Sequence, residues 1–112
     1  MTPETRTAHV EDPRIEVSAR GSALVLRIAG ELDAASRPAI EPTLIAAIAS
    51  APRVIFDLAA VSFCDSTGIA MFITVHEKAT ADDKPLSMRN VPARLHRLFE
   101  ITGVNKIFDI TE

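Results

Sequence analysis

Tryptophan and tyrosine are absent from this 112-residue chain, and five Phe are its only aromatic residues. Few side chains are therefore available for bases to stack on. Basic residues do not cluster: 12 Lys and Arg stand against 15 Asp and Glu, for a formal net charge of −3. The electrostatic footprint of a nucleic-acid binder is missing. Cys64 is the only cysteine, which excludes an internal disulfide and points to a reducing compartment. His9, His76 and His96 are scattered along the chain and, with one Cys, offer no zinc-ligand spacing. No metal or cofactor is expected. No apolar run approaches the roughly 20 residues of a membrane span, so no membrane insertion is expected. The N-terminal stretch MTPETRTAHVEDPR lacks the apolar segment of a signal peptide. With only four Gly there is no glycine-rich loop followed by Lys, which excludes a P-loop. These absences leave one small domain with one core, expected in the cytoplasm.

Hydrophobic patterning divides the chain into alternating elements. Residues 1–13, bounded by Pro3 and Pro13, read as a flexible tail. A strand over about 15–19 leads through Gly21-Ser22 into a second, where Leu24, Leu26 and Ile28 alternate with Val25 and Arg27. Gly30-Glu31-Leu32-Asp33 closes that hairpin, with Asp33 placed to cap the succeeding segment. There Ile40, Leu44, Ala47, Ile48 and Ala51 recur at helical spacing, and Pro42 is expected to bend or delay this helix. Residues 54–58 are apolar on both faces, as in a central strand covered on two sides. A long helix then runs to about Thr80, and a strand comes next near 86–88. Pro92 suits a first helical position, Leu95, Leu98 and Phe99 form a buried stripe, and Gly103 stops that helix. Ile107, Phe108 and Ile110 predict a short final strand or turn. Strands alternating with helices after a hairpin imply an α/β fold with a mixed sheet.

The chemistry concentrates in Asp65-Ser66-Thr67-Gly68, at the junction of an apolar strand and an apolar helix. Two hydroxyls fall where backbone N–H groups lack helical partners and the helix dipole is positive. Such an end suits a phosphate, bound or covalently attached. An aspartic protease signature would place Gly directly after the first hydroxyl residue, whereas Thr67 intervenes, and the serine-hydrolase elbow lacks its preceding Gly. Local chemistry leaves a second reading open, an ordinary helix start with Ser66 as cap.

Three other residues invite roles. His76 lies four residues after Phe72 and reads as half-buried structure; Cys64 reads as a small core residue. On the long helix Ile69, Phe72, Ile73, Val75, His76 and Ala79 form one apolar arc, with Thr74, Glu77 and Lys78 opposite. Met71 falls off that arc beside Lys78, either as an exposed partner contact or as cover for a neighbouring helix.

Gly30-Glu31-Leu32-Asp33, Val54-Ile55-Phe56-Asp57-Leu58, Phe63-Cys64-Asp65-Ser66-Thr67-Gly68-Ile69 and Pro92-Ala93 leading to Leu98-Phe99 and Thr102-Gly103 together resemble the STAS-domain anti-sigma factor antagonists of bacteria. The resemblance covers about residues 15–110. It implies a STAS domain over 14–112, an α/β sandwich with a mixed four- or five-stranded sheet and helices mostly packed on one face. It also implies a binding switch rather than an enzyme. In this family the unphosphorylated antagonist binds an anti-sigma factor, a serine/threonine kinase of the histidine-kinase-like ATPase fold, and so frees a sigma factor. The kinase phosphorylates the hydroxyl directly before the motif glycine, and a PP2C-type phosphatase reverses this. Here that hydroxyl is Thr67, with Ser66 as the alternative, where the family more often carries Ser. Asp33 and Asp65 match the family's flanking acidic positions. The expected partner surface comprises Asp33, Asp65, Ser66, Thr67 and Gly68 around the motif, with Met71 and Lys78 added from their position on the long helix. The rival reading is a small-ligand or nucleotide-binding STAS domain serving a transport or sensing assembly.

Overall fold

The computed structural model describes residues 14–111; the tail expected over 1–13 lies outside them. The elements run β1 (Ile15–Arg20), β2 (Ala23–Leu32), α1 (Arg37–Ser50), β3 (Arg53–Cys64), α2 (Ser66–Ala81), β4 (Leu86–Arg89), α3 (Ala93–Thr102), α4 (Val104–Ile107) and β5 (Asp109–Thr111). The sheet order matches the chain order, β1-β2-β3-β4-β5. Among these strands only the β1–β2 hairpin is antiparallel; the other pairs are parallel. Three successive crossovers step in the same direction, and right-handed connections then put every helix on one face. The mixed five-stranded sheet and one-sided helices agree with the expected architecture.

The two faces of the sheet have different chemistry. Leu26, Ile28, Val54, Phe56, Leu58, Leu86 and Met88 join the helices in one apolar core. Phe72 of α2 sits at its centre, with ring centroids 6.1 Å from Phe56, 6.1 Å from Phe99 and 6.2 Å from Phe108. The last two contacts are edge-on, the arrangement favoured by the ring quadrupole. His76 packs its ring on Phe108 at 5.2 Å, as expected of a half-buried structural histidine. On the opposite face, Asp57 is 5% exposed. Its Oδ2 accepts from Asn90 Nδ2 at 3.1 Å and lies 3.5 Å from Arg89 Nε. The expectation that β3 is covered on two sides is therefore corrected: helices cover one face, and charged side chains close over the other.

β2 and β3 both outrun the apolar runs that announced them. The ladder slips between Arg27 and Ala29 and again between Gly30 and Glu31, each time giving β3 one extra residue. At the first bulge Asp57 Oδ1 accepts the Ala59 N–H at 3.1 Å, satisfying a backbone donor near the interrupted ladder. Gly30-Glu31-Leu32 accordingly belongs to β2 rather than to a closing loop, and β3 reaches the motif itself.

The helices start and stop for identifiable reasons. α1 starts at Arg37 with Pro38 in its first turn, so Pro42 does not delay it; Pro42 lies inside the helix as its sixth residue and, lacking an N–H, removes one i→i−4 bond from it. At the other end Lys84 Nζ donates to Ile48 O at 2.8 Å and Ala51 O at 2.9 Å, placing a cation on the negative end of α1. Gly103 ends α3 at φ 87°, a left-handed value that favours glycine. The last stretch is a short helix and then a short strand, so the expected final strand holds and α4 is an addition.

Candidate functional site

The site is built where two parallel strands end side by side. Leu32 of β2 pairs with Cys64 of β3, and the Asp65 N–H donates to Leu32 O at 3.2 Å as a last rung. Beyond it both chains turn at once, so Asp33 and Asp65 emerge together at the carboxyl edge, where open α/β sheets commonly carry their sites. Asp33 and Ser36 bond reciprocally: the Ser36 N–H donates to Asp33 Oδ1 and the Asp33 N–H to Ser36 Oγ, each at 3.0 Å. Asp33 thus caps the turn that feeds α1, whose own N-cap is Ser36.

Asp65 is the N-cap of α2. Its Oδ1 accepts from the Thr67 N–H at 2.9 Å and the Gly68 N–H at 3.1 Å. This corrects both readings of the helix start: Ser66 is not the cap, and these two N–H groups are already held by a carboxylate. Ser66 is exposed and Thr67 half-buried, and neither hydroxyl makes a hydrogen bond among the described residues.

Gly68 is a joint. A Cβ on it would lie 2.6 Å from Cys64 Sγ, 2.7 Å from Leu32 O and 3.0 Å from Leu32 Cβ. The first turn of α2 can pass this close to the strand ends only without a side chain. Burial, reinforced by the Asp65 carboxylate, pushes the Cys64 thiol up to about 12. It stays protonated, hence a poor nucleophile, in keeping with a core residue.

Thr67 also lines an open groove with Ala34, Arg37, Pro38, Glu41, Pro42 and Ile45, about 470 Å³ in volume. Along α1 Arg37 Nε pairs with Glu41 Oε1, and an Arg37 terminal nitrogen reaches α2, donating to Thr74 Oγ1 at 3.3 Å. Arg37 and Glu41 were not among the sequence candidates. Their signal was an opposite-charge i, i+4 pair opening a helix.

Of the expected partner residues, Asp33, Asp65, Ser66, Thr67 and Gly68 come together; Met71 and Lys78 do not join them. Met71 is 1% exposed and belongs to the core, which corrects its reading as an exposed contact. The long helix has two buried flanks, one on the sheet and one beside α1, and the Arg37–Thr74 bond shows α1 crossing the stripe that Met71 shares. Lys78 lies on the Thr67 face but roughly 16 Å along the axis, at about 1.5 Å per residue. It pairs with Asp82 at 3.2 Å. His9 lies outside the described residues, and no cluster of metal-ligating side chains occurs among the described ones. No helix among the described residues is long and apolar enough to cross a membrane.

Comparison with known proteins bears on the family and the fold. A family model described as "Mlab, STAS domain" matches residues 15–111. The chain is 31% identical over 97 residues to the anti-sigma-B factor antagonist of Bacillus subtilis (strain 168), covering 87% of this chain and 89% of that protein. It is 32% identical over 99 residues to the anti-sigma-B factor antagonist of Staphylococcus aureus (strain NCTC 8325 / PS 47), covering 88% and 92%. The crystal structure of an anti-sigma factor antagonist from Mycobacterium paratuberculosis superposes with a TM-score of 0.76 at 27% identity, over 86% of this chain and 82% of that one.

Proposed function

This chain belongs to the STAS-domain family of anti-sigma factor antagonists, and on that premise we propose that it works as a cytoplasmic switch whose setting is the phosphorylation state of Thr67. Unphosphorylated, it binds an anti-sigma factor that is also a serine/threonine kinase of the histidine-kinase-like ATPase fold, and a sigma factor is released. The kinase transfers phosphate to Thr67 Oγ1, and a PP2C-type phosphatase removes it. The chain itself catalyses nothing in this cycle.

One observation carries the reading: Thr67 presents an unbonded hydroxyl at the mouth of a groove, on a turn pinned by Gly68 and capped by Asp65. A rigid turn holds an acceptor in place for an incoming kinase without an ordering cost at each encounter. A phosphate adds about −1.5 to −2 charges at neutral pH. A partner docked here would meet that charge beside Asp65 and Asp33, and a loss of ~3 kcal/mol weakens binding about a hundredfold. The fold has no need to move. Incubation with ATP and candidate anti-sigma kinases, then intact mass and site mapping, tests the assignment. Phosphate on Thr67 is the expected result; phosphate confined to Ser66 would transfer the role to that residue.

A further inference from the structure

Thr67 and Arg37 line one groove, and Arg37 is the only cationic side chain among its described lining residues. The guanidinium rests on the stripe of α2 that Thr67 begins, because Thr74, which accepts from it, stands about two turns along and about 20° around from Thr67. That bond is long, 3.3 Å, and its acceptor is a neutral hydroxyl. The other partner, Glu41, carries one negative charge and is itself partly exposed. Both attachments are weaker than a guanidinium–phosphate pair, in which two N–H groups face two oxygens of a near-dianion.

The geometry points to Arg37 as the side chain that takes up a phosphate on Thr67, exchanging Glu41 for it and leaving Glu41 unpaired in the groove. This rests on the reading of Thr67 as acceptor and adds its consequence. Two of the backbone donors at the start of α2, the Thr67 and Gly68 N–H groups, are already held by Asp65. Lys78, on the same stripe, is roughly 16 Å away and paired with Asp82. Before modification the groove carries a neutral Arg37–Glu41 pair; afterwards it carries a phosphate held by Arg37 and a free Glu41 carboxylate. Negative charge then extends from the helix end down the groove, and a partner meets an altered surface larger than one side chain.

The test installs phosphothreonine at position 67 by genetic encoding, so that no kinase is needed, and tracks the phosphate by phosphorus NMR across its second ionisation. An opposite charge within a few ångströms stabilises the dianion, so the second pKa should lie about half a unit to one unit lower in the otherwise unchanged protein than in its Arg37→Gln variant. Arg37→Lys should recover part of the shift, and Glu41→Gln, which removes the competitor, should lower the value further. Equal titration curves with and without Arg37, in variants whose amide spectra report an intact fold, would overturn the proposal. So would a Glu41→Gln variant that titrates like the parent. A kinase that leaves Thr67 unmodified would remove the proposed function but would not alter these curves, so the two failures are separable.

Discussion

Two successive turns of α2 are put to different use. Residues 66–69 hold an exposed Ser66, a half-buried Thr67 with a free hydroxyl and a wedged Gly68, all behind the Asp65 cap. One turn later Met71 is 1% exposed and Phe72 fully buried, its ring against Phe56, Phe99 and Phe108. What separates them is the ground beneath. The β2–β3 ladder ends at Leu32 and Cys64, so the first turn overhangs the sheet edge while the second lies over the core and beside α1. Reactive groups belong on the overhang, because there they can be altered without disturbing packing.

Substitutions along these two turns should respect that boundary. Met71→Asp places a charge in the core and is expected to cost about 4 kcal/mol or more, read as a collapse of the melting temperature, whereas Met71→Leu should cost less than about 1.5 kcal/mol. A Met71→Asp protein that melts normally yet fails to bind its partner would restore the exposed-contact reading. Gly68→Ala gains roughly 1 kcal/mol in helix propensity but drives a methyl onto Leu32 O and Cys64 Sγ. A net loss of about 2 kcal/mol is expected by denaturant titration. Asp65→Ala frees two N–H groups and should cost about 1 kcal/mol. Thr67→Ala should change stability by no more than about 0.5 kcal/mol while abolishing phosphorylation by the cognate kinase. If stability does not grade in this order, the boundary between the two turns lies elsewhere.

Much of the architecture is legible in the residues alone. Apolar patterning located β1 to β4 and left the β5 region open between strand and turn, 3.6-residue spacing located the three long helices, and the ordered motifs identified the family. The errors share one cause: patterning reports a residue's character and not its neighbours. Met71 stayed open between an exposed contact and cover for a neighbouring helix because the apolar arc of α2 takes in one buried flank; α1 supplies a second, and the cover holds. Lys78 looked adjacent to Thr67 because an angular projection discards the rise along the axis. β3 looked to end at Leu58 because Ala59, Ala60 and Ser62 dilute the apolar run, yet bulges carry the ladder on to Cys64. Gly68 is small to fit the strand ends beneath it, a packing reason visible only in three dimensions. Arg37 and Glu41 were overlooked because a surface i, i+4 pair is commonplace until a groove places it beside Thr67.

The central claim is that charge on Thr67 acts at a rigid overhang without refolding the domain. Its most direct test pairs two readings on the same phosphorylated protein: affinity for the anti-sigma kinase and an amide chemical-shift map of the free state. Phosphorylation should lower that affinity about a hundredfold, corresponding to ~3 kcal/mol, with a smaller loss for Thr67→Asp, which carries about one negative charge rather than nearly two. Shifts should stay near Asp33, Arg37, Glu41, the first turn of α2 and Thr74. Undiminished binding by the fully phosphorylated chain, or shifts spread across β4, α3 and β5, would contradict it.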